Sequence, residues 1–84
     1  MNEEIRNRIR LSVAAYAYEV LASSVISDSD FDSLCLKIKP KVSTGNEKLD
    51  KFFREEFDPS TGVWIWKHPE LHLIHNLYEK VYKR

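Results

Sequence analysis

Acidic side chains with the spacing of a ligand site occur in residues 26–32. Asp28 and Asp32 are four residues apart, so a helix would place both carboxylates on one face, one turn apart. Such a like-charge pair destabilises an isolated helix by about 0.2–0.5 kcal/mol, which a cation, a hydrogen-bond donor or plain solvent would relieve. Asp30 needs no ligand, because Ser27 and Asp30 have the spacing of a helix capping box. The segment predicts a helix start, with a ligand site as the open alternative.

Three histidines, His68, His72 and His75, are the second group that could do chemistry. Helical geometry would place them along one face, and two histidines four residues apart can chelate zinc. The usual third ligand and a catalytic glutamate at the right offset are missing. We therefore expect capping or interfacial histidines, with His68 as a cap before Pro69, and no metal site.

Groups suited to catalysis are few in this sequence. Cys35 is the only cysteine and stands between Leu34 and Leu36, an apolar setting that indicates an inert core thiol. Gly45 and Gly62 are the only glycines, so the sequence contains no glycine-rich phosphate loop. We expect a protein that is not an enzyme and has no cofactor.

Two tryptophans alternate with aliphatic residues in residues 63–66. In an extended segment Trp64 and Trp66 would point one way, and Val63 and Ile65 the other. If the aliphatic side chains face the core, both indoles are displayed as a candidate partner-binding site. The alternative is that the indoles cover the core.

Composition limits the classes of function. The chain has 84 residues with a formal net charge of +0, whereas proteins that bind nucleic acid through phosphate contacts normally carry a basic excess. A weak nucleic-acid site remains possible if Arg6, Arg8 and Arg10 meet the lysines of residues 37–41. No apolar run approaches the roughly 20 residues that span a bilayer. The single cysteine fits a reducing compartment, so we expect a cytoplasmic protein without a membrane partner.

The elements that must position these residues are predicted to be helices. Apolar residues at helical spacing predict a first helix over Glu3–Leu21, with Asn2 as its cap. Because this helix is apolar on more than one face, we expect it to be central. The second helix begins after Ser27, where Ile26 could staple to Phe31.

The remaining helices are predicted from turn and capping signals. Pro40 ends the second helix, and Ser43 or Thr44 opens a third, in which Thr44 and Glu47 have capping-box spacing. The last helix begins near Pro69. The fold class is therefore all-α: a compact bundle of about four helices, with a short extended connector holding both tryptophans before the last helix. We expect a single domain over residues 1–84, with a hairpin at 3–39 and the third helix, turn and C-terminal helix within 43–83.

Residues 8–38 resemble the N-terminal helical hairpin of NAD-dependent DNA ligases. That family has a Tyr-His pair on the first helix and an Ile-Ser/Pro-Asp-Ala-Glu-Tyr-Asp motif that opens the second. Tyr18, Asp28 and Asp32 match the motif at the family's ten-residue interval, whereas Glu19 replaces its histidine and Phe31 its tyrosine. In the family these positions hold the nicotinamide mononucleotide half of NAD. The resemblance implies a candidate ligand site at these five residues, without the family's Lys-x-Asp-Gly nucleophile.

The rest of the chain is similar to small uncharacterised proteins encoded by bacterial viruses. The similarity lies in residues 42–46, 52–62 and 68–71. It implies a non-catalytic accessory protein that binds a bacterial host protein, such as a defence or nucleic-acid enzyme, and can act as its inhibitor. The alternatives are a nicotinamide-nucleotide-binding module and, second, a weak nucleic-acid binder. For the oligomeric state we expect a monomer or a weak homodimer.

Overall fold

The computed structural model describes residues 3–82 and contains four α-helices and one 3₁₀ helix in that range. The α-helices are α1 (Glu3–Leu21), α2 (Asp28–Lys37), α3 (Glu47–Glu55) and α4 (Leu71–Val81), and the 3₁₀ helix is Val63–Lys67. Residues 3–82 contain no β-strand. The all-α prediction is confirmed, and α1 has the bounds predicted for it. Its predicted cap, Asn2, lies outside the described residues.

Helix α1 runs through the centre of the bundle. It contacts α2, α4 and the 3₁₀ helix. Three alanines, Ala14, Ala15 and Ala17, are buried on it and allow neighbouring elements to approach closely, while Leu11 and Tyr16 fill the space between them. A helix that is apolar on several sides must be covered on several sides.

The starts of α2 and α3 show one correct and one wrong capping prediction. Ser27 caps α2, since its hydroxyl accepts a hydrogen bond from the Asp30 amide at 3.1 Å. Helix α3 begins three residues later than Thr44, and Asn46 is its cap, accepting from the Leu49 amide at 3.2 Å. Thr44 does not cap because its hydroxyl donates to Asp50 at 2.7 Å. A contact within the polar network described next therefore outcompetes the local capping box.

A buried ionic network ties α1 to α3 and to the segment between α2 and α3. Arg8 donates to Glu4 and to Asp50, at 2.7 Å each, and also to the carbonyls of Lys39 and Val42. The Lys39 amide donates to Glu4 in return. Every charge in the network has a partner, as buried charges require. Arg8 is therefore a structural residue, and the predicted nucleic-acid site loses its middle arginine.

Aromatic rings form much of the core beside α1. Phe53 is almost fully buried, and its ring lies 5.7 Å from that of Trp64 and 5.2 Å from that of Phe52, between centroids. Phe57 packs edge-on against Trp64 at 5.1 Å. These tilted and edge-to-face arrangements are the favoured ones for aromatic pairs. Phe52 and Phe53 are buried in this cluster, whereas Phe57 is only partly buried.

The connector before α4 is a 3₁₀ helix and not the extended segment that was predicted. An extended chain without a neighbouring strand would leave its amides unpaired, whereas here the Ile65 amide donates to Gly62 and the His68 amide to Ile65. With about three residues per turn, Trp64 and Trp66 point in different directions. Trp64 is 4% exposed and Trp66 is 54% exposed.

Helix α4 begins at Leu71, two residues after Pro69. The Glu70 amide donates to His68 Nδ1 at 3.0 Å, and Glu70 keeps a non-helical backbone (φ −127°). Its carbonyl accepts the first amides of the helix, from Leu73 and Ile74. Glu70 is therefore the N-cap of α4, and no side chain caps this helix. The prediction that His68 is the cap is wrong, because His68 binds the amide of the N-cap residue and no amide of the first turn.

Candidate functional site

All five residues of the ligase-like motif line one cavity of about 350 Å³. Tyr18 and Glu19 come from the last turn of α1, and Asp28, Phe31 and Asp32 come from the start of α2. We call this space the hairpin cavity. Its other lining residues are Ala14, Ser24, Val25, Ile26, Ser60, Thr61 and Gly62. Residues that are separated by up to 14 positions in the motif thus line the same cavity.

A tight reversal between the two helices brings the two halves of the motif together. Ala22 takes a left-handed backbone conformation (φ 53°), and the Ser23 amide donates to the Ala17 carbonyl at 2.9 Å. Ser24 donates to the Ile26 carbonyl at 2.7 Å, so the short loop is held by its own hydrogen bonds. The cap at Ser27 then starts α2 with Asp28 facing the end of α1 across the cavity.

Residues 60–62 form the far wall of the cavity, which the sequence analysis did not predict. Gly62 is buried, and a Cβ atom at this position would lie 3.3 Å from Phe31 Cζ and 3.7 Å from Glu19 Cγ. Residues 58–62 have the composition of a turn, with Asp58, Pro59 and Gly62 among them. No local signal indicated that it would pack on the hairpin, because that contact is set by α1 and the 3₁₀ helix.

The buried Trp64 holds this wall through a hydrogen bond to its backbone. Its indole Nε1–H donates to the Thr61 carbonyl at 2.6 Å, and the Val63 amide donates to the Thr61 hydroxyl at 3.2 Å. Earlier in the turn, the Ser60 amide and hydroxyl both donate to Asp58, and these bonds hold the pKa of the Asp58 carboxyl below its usual range. The wall is therefore a hydrogen-bonded turn that is anchored to the aromatic core.

The charge of the hairpin cavity is negative. Three of its lining residues, Glu19, Asp28 and Asp32, carry carboxylates, and none of the lining residues within the described chain is basic. Tyr18 and Phe31 add two aromatic rings, whose faces attract cations. A phosphate group would be repelled here, whereas a cationic or hydrogen-bond-donating group is favoured.

The second candidate site, Trp64 and Trp66, does not form one exposed surface. Trp64 is buried in the aromatic cluster and holds the Thr61 carbonyl, so it is not available to a partner. Trp66 is exposed together with Val63 on the 3₁₀ helix. The prediction that both indoles are exposed on one side is thus wrong, because side chains alternate in direction only along an extended backbone. Trp66 alone remains a candidate contact.

The contacts of His75 and the burial of Cys35 indicate structural roles for these side chains. His75 bonds to the Tyr16 hydroxyl at 2.6 Å and pairs with Glu79 at 3.1 Å, while His72 is exposed. No cluster of three potential metal ligands occurs in residues 3–82. Burial raises the pKa of the Cys35 thiol to about 11, which keeps it protonated and weakly nucleophilic.

Comparison of this chain with protein families, with curated proteins and with solved structures finds no match. Within the described part of the chain, no helix is long and apolar enough to cross a membrane.

Proposed function

We propose that this protein is a non-catalytic binding module whose site is the hairpin cavity, and that its partner is a bacterial host protein. In this proposal the chain is an accessory protein of a bacterial virus or mobile element and acts in the host cytoplasm. The observation that carries the proposal is the convergence of the five motif residues on one cavity with a fixed far wall.

The chemistry of the lining favours a basic side chain of the partner. Asp28 and Asp32 are exposed on one face of α2, and Glu19 faces them from α1. An arginine or lysine placed between them would relieve their mutual repulsion and could stack on the ring of Phe31 or Tyr18. The carboxylates already lie at the mouth of a formed cavity. Binding would therefore cost the conformational entropy of the inserted side chain but little of the protein's own.

A charge-reversal pull-down from bacterial lysate tests this proposal. The double variant Asp28→Lys/Asp32→Lys should lose a partner that the unmodified protein recovers at stoichiometric level. The matched control is Glu47→Lys/Glu55→Lys, which makes the same change in charge at exposed positions of α3. Recovery of no stoichiometric partner, or equal recovery by the cavity variant, would overturn the proposal.

The second candidate function is binding of a nicotinamide nucleotide. It is favoured by the match of Tyr18, Asp28 and Asp32 to the ligase motif and by their common cavity. The cationic nicotinamide ring suits the carboxylates, but Glu19 would repel the adjoining phosphate.

Calorimetry can separate this candidate from the first. We expect the variant Glu19→His/Phe31→Tyr, which restores the two family residues, to bind nicotinamide mononucleotide more tightly than the unmodified protein. The control Glu55→His adds a histidine on α3 and should change nothing. Flat titrations of all three proteins with NAD and with the mononucleotide end this alternative.

A further inference from the structure

Helix α4 presents apolar side chains to solvent. Leu73, Leu77 and Val81 recur every four residues and therefore lie on one side of this helix. Leu73 is 48% exposed and Val81 is 45% exposed, while Leu77 is partly buried. Within Leu71–Val81 only Ile74 is fully buried. The apolar side of α4 is thus only partly covered within one chain.

This side of α4 continues into an apolar cavity between α1, α3 and α4. Ile5 and Ile9 of α1 line that cavity together with Leu73 and Leu77. Its polar groups need no further partner, because no buried side-chain nitrogen or oxygen of the described residues lacks a hydrogen bond. The surface therefore favours apolar contact over a polar ligand.

Charges of opposite sign lie at the two ends of the same side. Glu70 is the N-cap of α4 and Lys80 is in its last turn. With about 3.6 residues per turn, both lie close to the direction of Leu73 and Leu77. They stand five positions before and five positions after His75. Neither makes an ion pair within residues 3–82.

We propose that two copies of this protein associate through the α4 face, which consists of Glu70, Leu73, Leu77 and Lys80. In an antiparallel arrangement, with the twofold axis at the level of His75, Leu73 of one copy meets Leu77 of the other. Glu70 of each copy then meets Lys80 of its partner, so the ion pair forms twice. A parallel arrangement would bring like charges together. The charge pattern of α4 is therefore complementary to itself in one orientation.

The size of the α4 face predicts a weak dimer. Helix α4 has 11 residues, so it is only about 16 Å long. Two such helices bury less than the roughly 1,200 Å² at which stable interfaces begin. The α4 face shares no residue with the hairpin cavity, so this association is independent of the proposed function.

Sedimentation equilibrium between about 10 µM and 1 mM protein tests the association. The unmodified protein should show a mass that rises with concentration towards that of a dimer. Glu70→Lys and Lys80→Glu each turn both ion pairs into like-charge pairs, so each should weaken association by about three- to thirtyfold. Circular dichroism checks that both variants are folded.

Mixing the two single variants is the decisive measurement. In a dimer of one Glu70→Lys chain with one Lys80→Glu chain, both pairs are again of opposite charge. The mixture, and the double variant Glu70→Lys/Lys80→Glu alone, should therefore associate about as strongly as the unmodified protein. Damage to the fold by the single substitutions would not be repaired in this way.

The apolar part of the α4 face has its own matched pair of variants. Leu73→Asp should weaken association about tenfold or more, whereas Leu36→Asp should not, because Leu36 is 80% exposed on α2 and lies outside the α4 face. Asp28→Lys/Asp32→Lys, in the hairpin cavity, should also leave association unchanged. A monomer up to 1 mM overturns the proposal and leaves the α4 face to another partner. Failure of the mixed variants to recover, or equal effects of Leu73→Asp and Leu36→Asp, overturns it as well.

Discussion

At the scale of single residues, Asp50 is a buried charge that several hydrogen bonds hold in place. Hydrogen bonds from Thr44 and from Arg8 lower the pKa of its carboxyl to about 2. The same carboxylate joins α3 to α1 and to the segment before α3. One acidic side chain thus fixes the position of an element that has few other contacts with α1.

The Arg8–Asp50 pair predicts a large effect of a small substitution. Asp50→Ala should lower the free energy of unfolding by about 3–5 kcal/mol, because it leaves the Arg8 guanidinium buried and partly unpaired. Urea denaturation followed by circular dichroism measures this loss. The exposed Asp30→Ala should cost no more than about 1 kcal/mol. Similar losses in both variants would mean that the pair is solvated.

His68 predicts a dependence of stability on pH. Its pKa is lowered by burial from 6.5 to about 4, so between these values the unfolded chain binds more protons than the folded one. Stability should fall as the pH drops from about 6.5 to 4, by at most about 3 kcal/mol, and this contribution should level off below pH 4. Thermal or urea unfolding across this pH range measures the slope.

Two histidine variants isolate this contribution. His68→Asn removes the titrating ring and keeps an acceptor for the Glu70 amide, so the slope between pH 6.5 and 4 should flatten. The exposed His72→Asn should leave the slope as it is. An unchanged slope in the His68 variant would show that other groups carry the pH dependence.

At the scale of elements, the turn that closes the hairpin cavity can be tested with two glycines. Gly62→Ala places a Cβ 3.3 Å from Phe31 Cζ, so the ring must shift, and NMR shifts should reach Phe31 and Glu19 at a cost of about 1 kcal/mol. Gly45→Ala meets no atom within 4 Å but has φ +90°, so it should cost about 1–2 kcal/mol with shifts confined to its own loop. Undisturbed amides at Phe31 in the Gly62 variant would remove residues 60–62 from the site.

The elements also show where sequence reasoning succeeds. The bounds of α1 follow from apolar residues at helical spacing, and the cap of α2 joins residues three positions apart, Ser27 and Asp30. Both were predicted correctly. Thr44 was predicted wrongly because its hydroxyl donates to Asp50, outside the capping-box spacing. The 3₁₀ helix was predicted as extended because the packing of Trp64 on Phe57 is not visible from the residues around Trp64 alone. The candidate site follows the same division. Its hairpin half was implied by the resemblance to the ligase hairpin, whereas its far wall depends on the close approach of Gly62 to Ala15 of α1, 47 positions earlier in the chain.

At the scale of the whole molecule, one central helix serves two cavities. The C-terminal end of α1 contributes Tyr18 and Glu19 to the hairpin cavity, and its N-terminal half contributes Ile5 and Ile9 to a second cavity, of about 300 Å³, between α1, α3 and α4. The aromatic cluster lies between these regions, with Phe53 lining one cavity and Trp64 anchoring the wall of the other. Because interiors this well packed transmit strain, substitutions in this cluster should disturb both cavities.

The predicted single domain can be tested by asking whether the two halves of the chain unfold together. In Trp66→Phe the buried Trp64 is the only indole, and its fluorescence reports on the aromatic cluster of residues 52–64. Far-ultraviolet circular dichroism reports on all the helices, of which α1 and α2 together hold more than half of the residues. Since the 3₁₀ helix packs directly on α1, the two signals should follow one urea transition with the same midpoint. In Trp64→Phe the exposed Trp66 should emit at longer wavelength and be easily quenched. If circular dichroism fell at lower urea than Trp64 fluorescence, the hairpin would be a separate unit, and the wall of its cavity would not be held by the core.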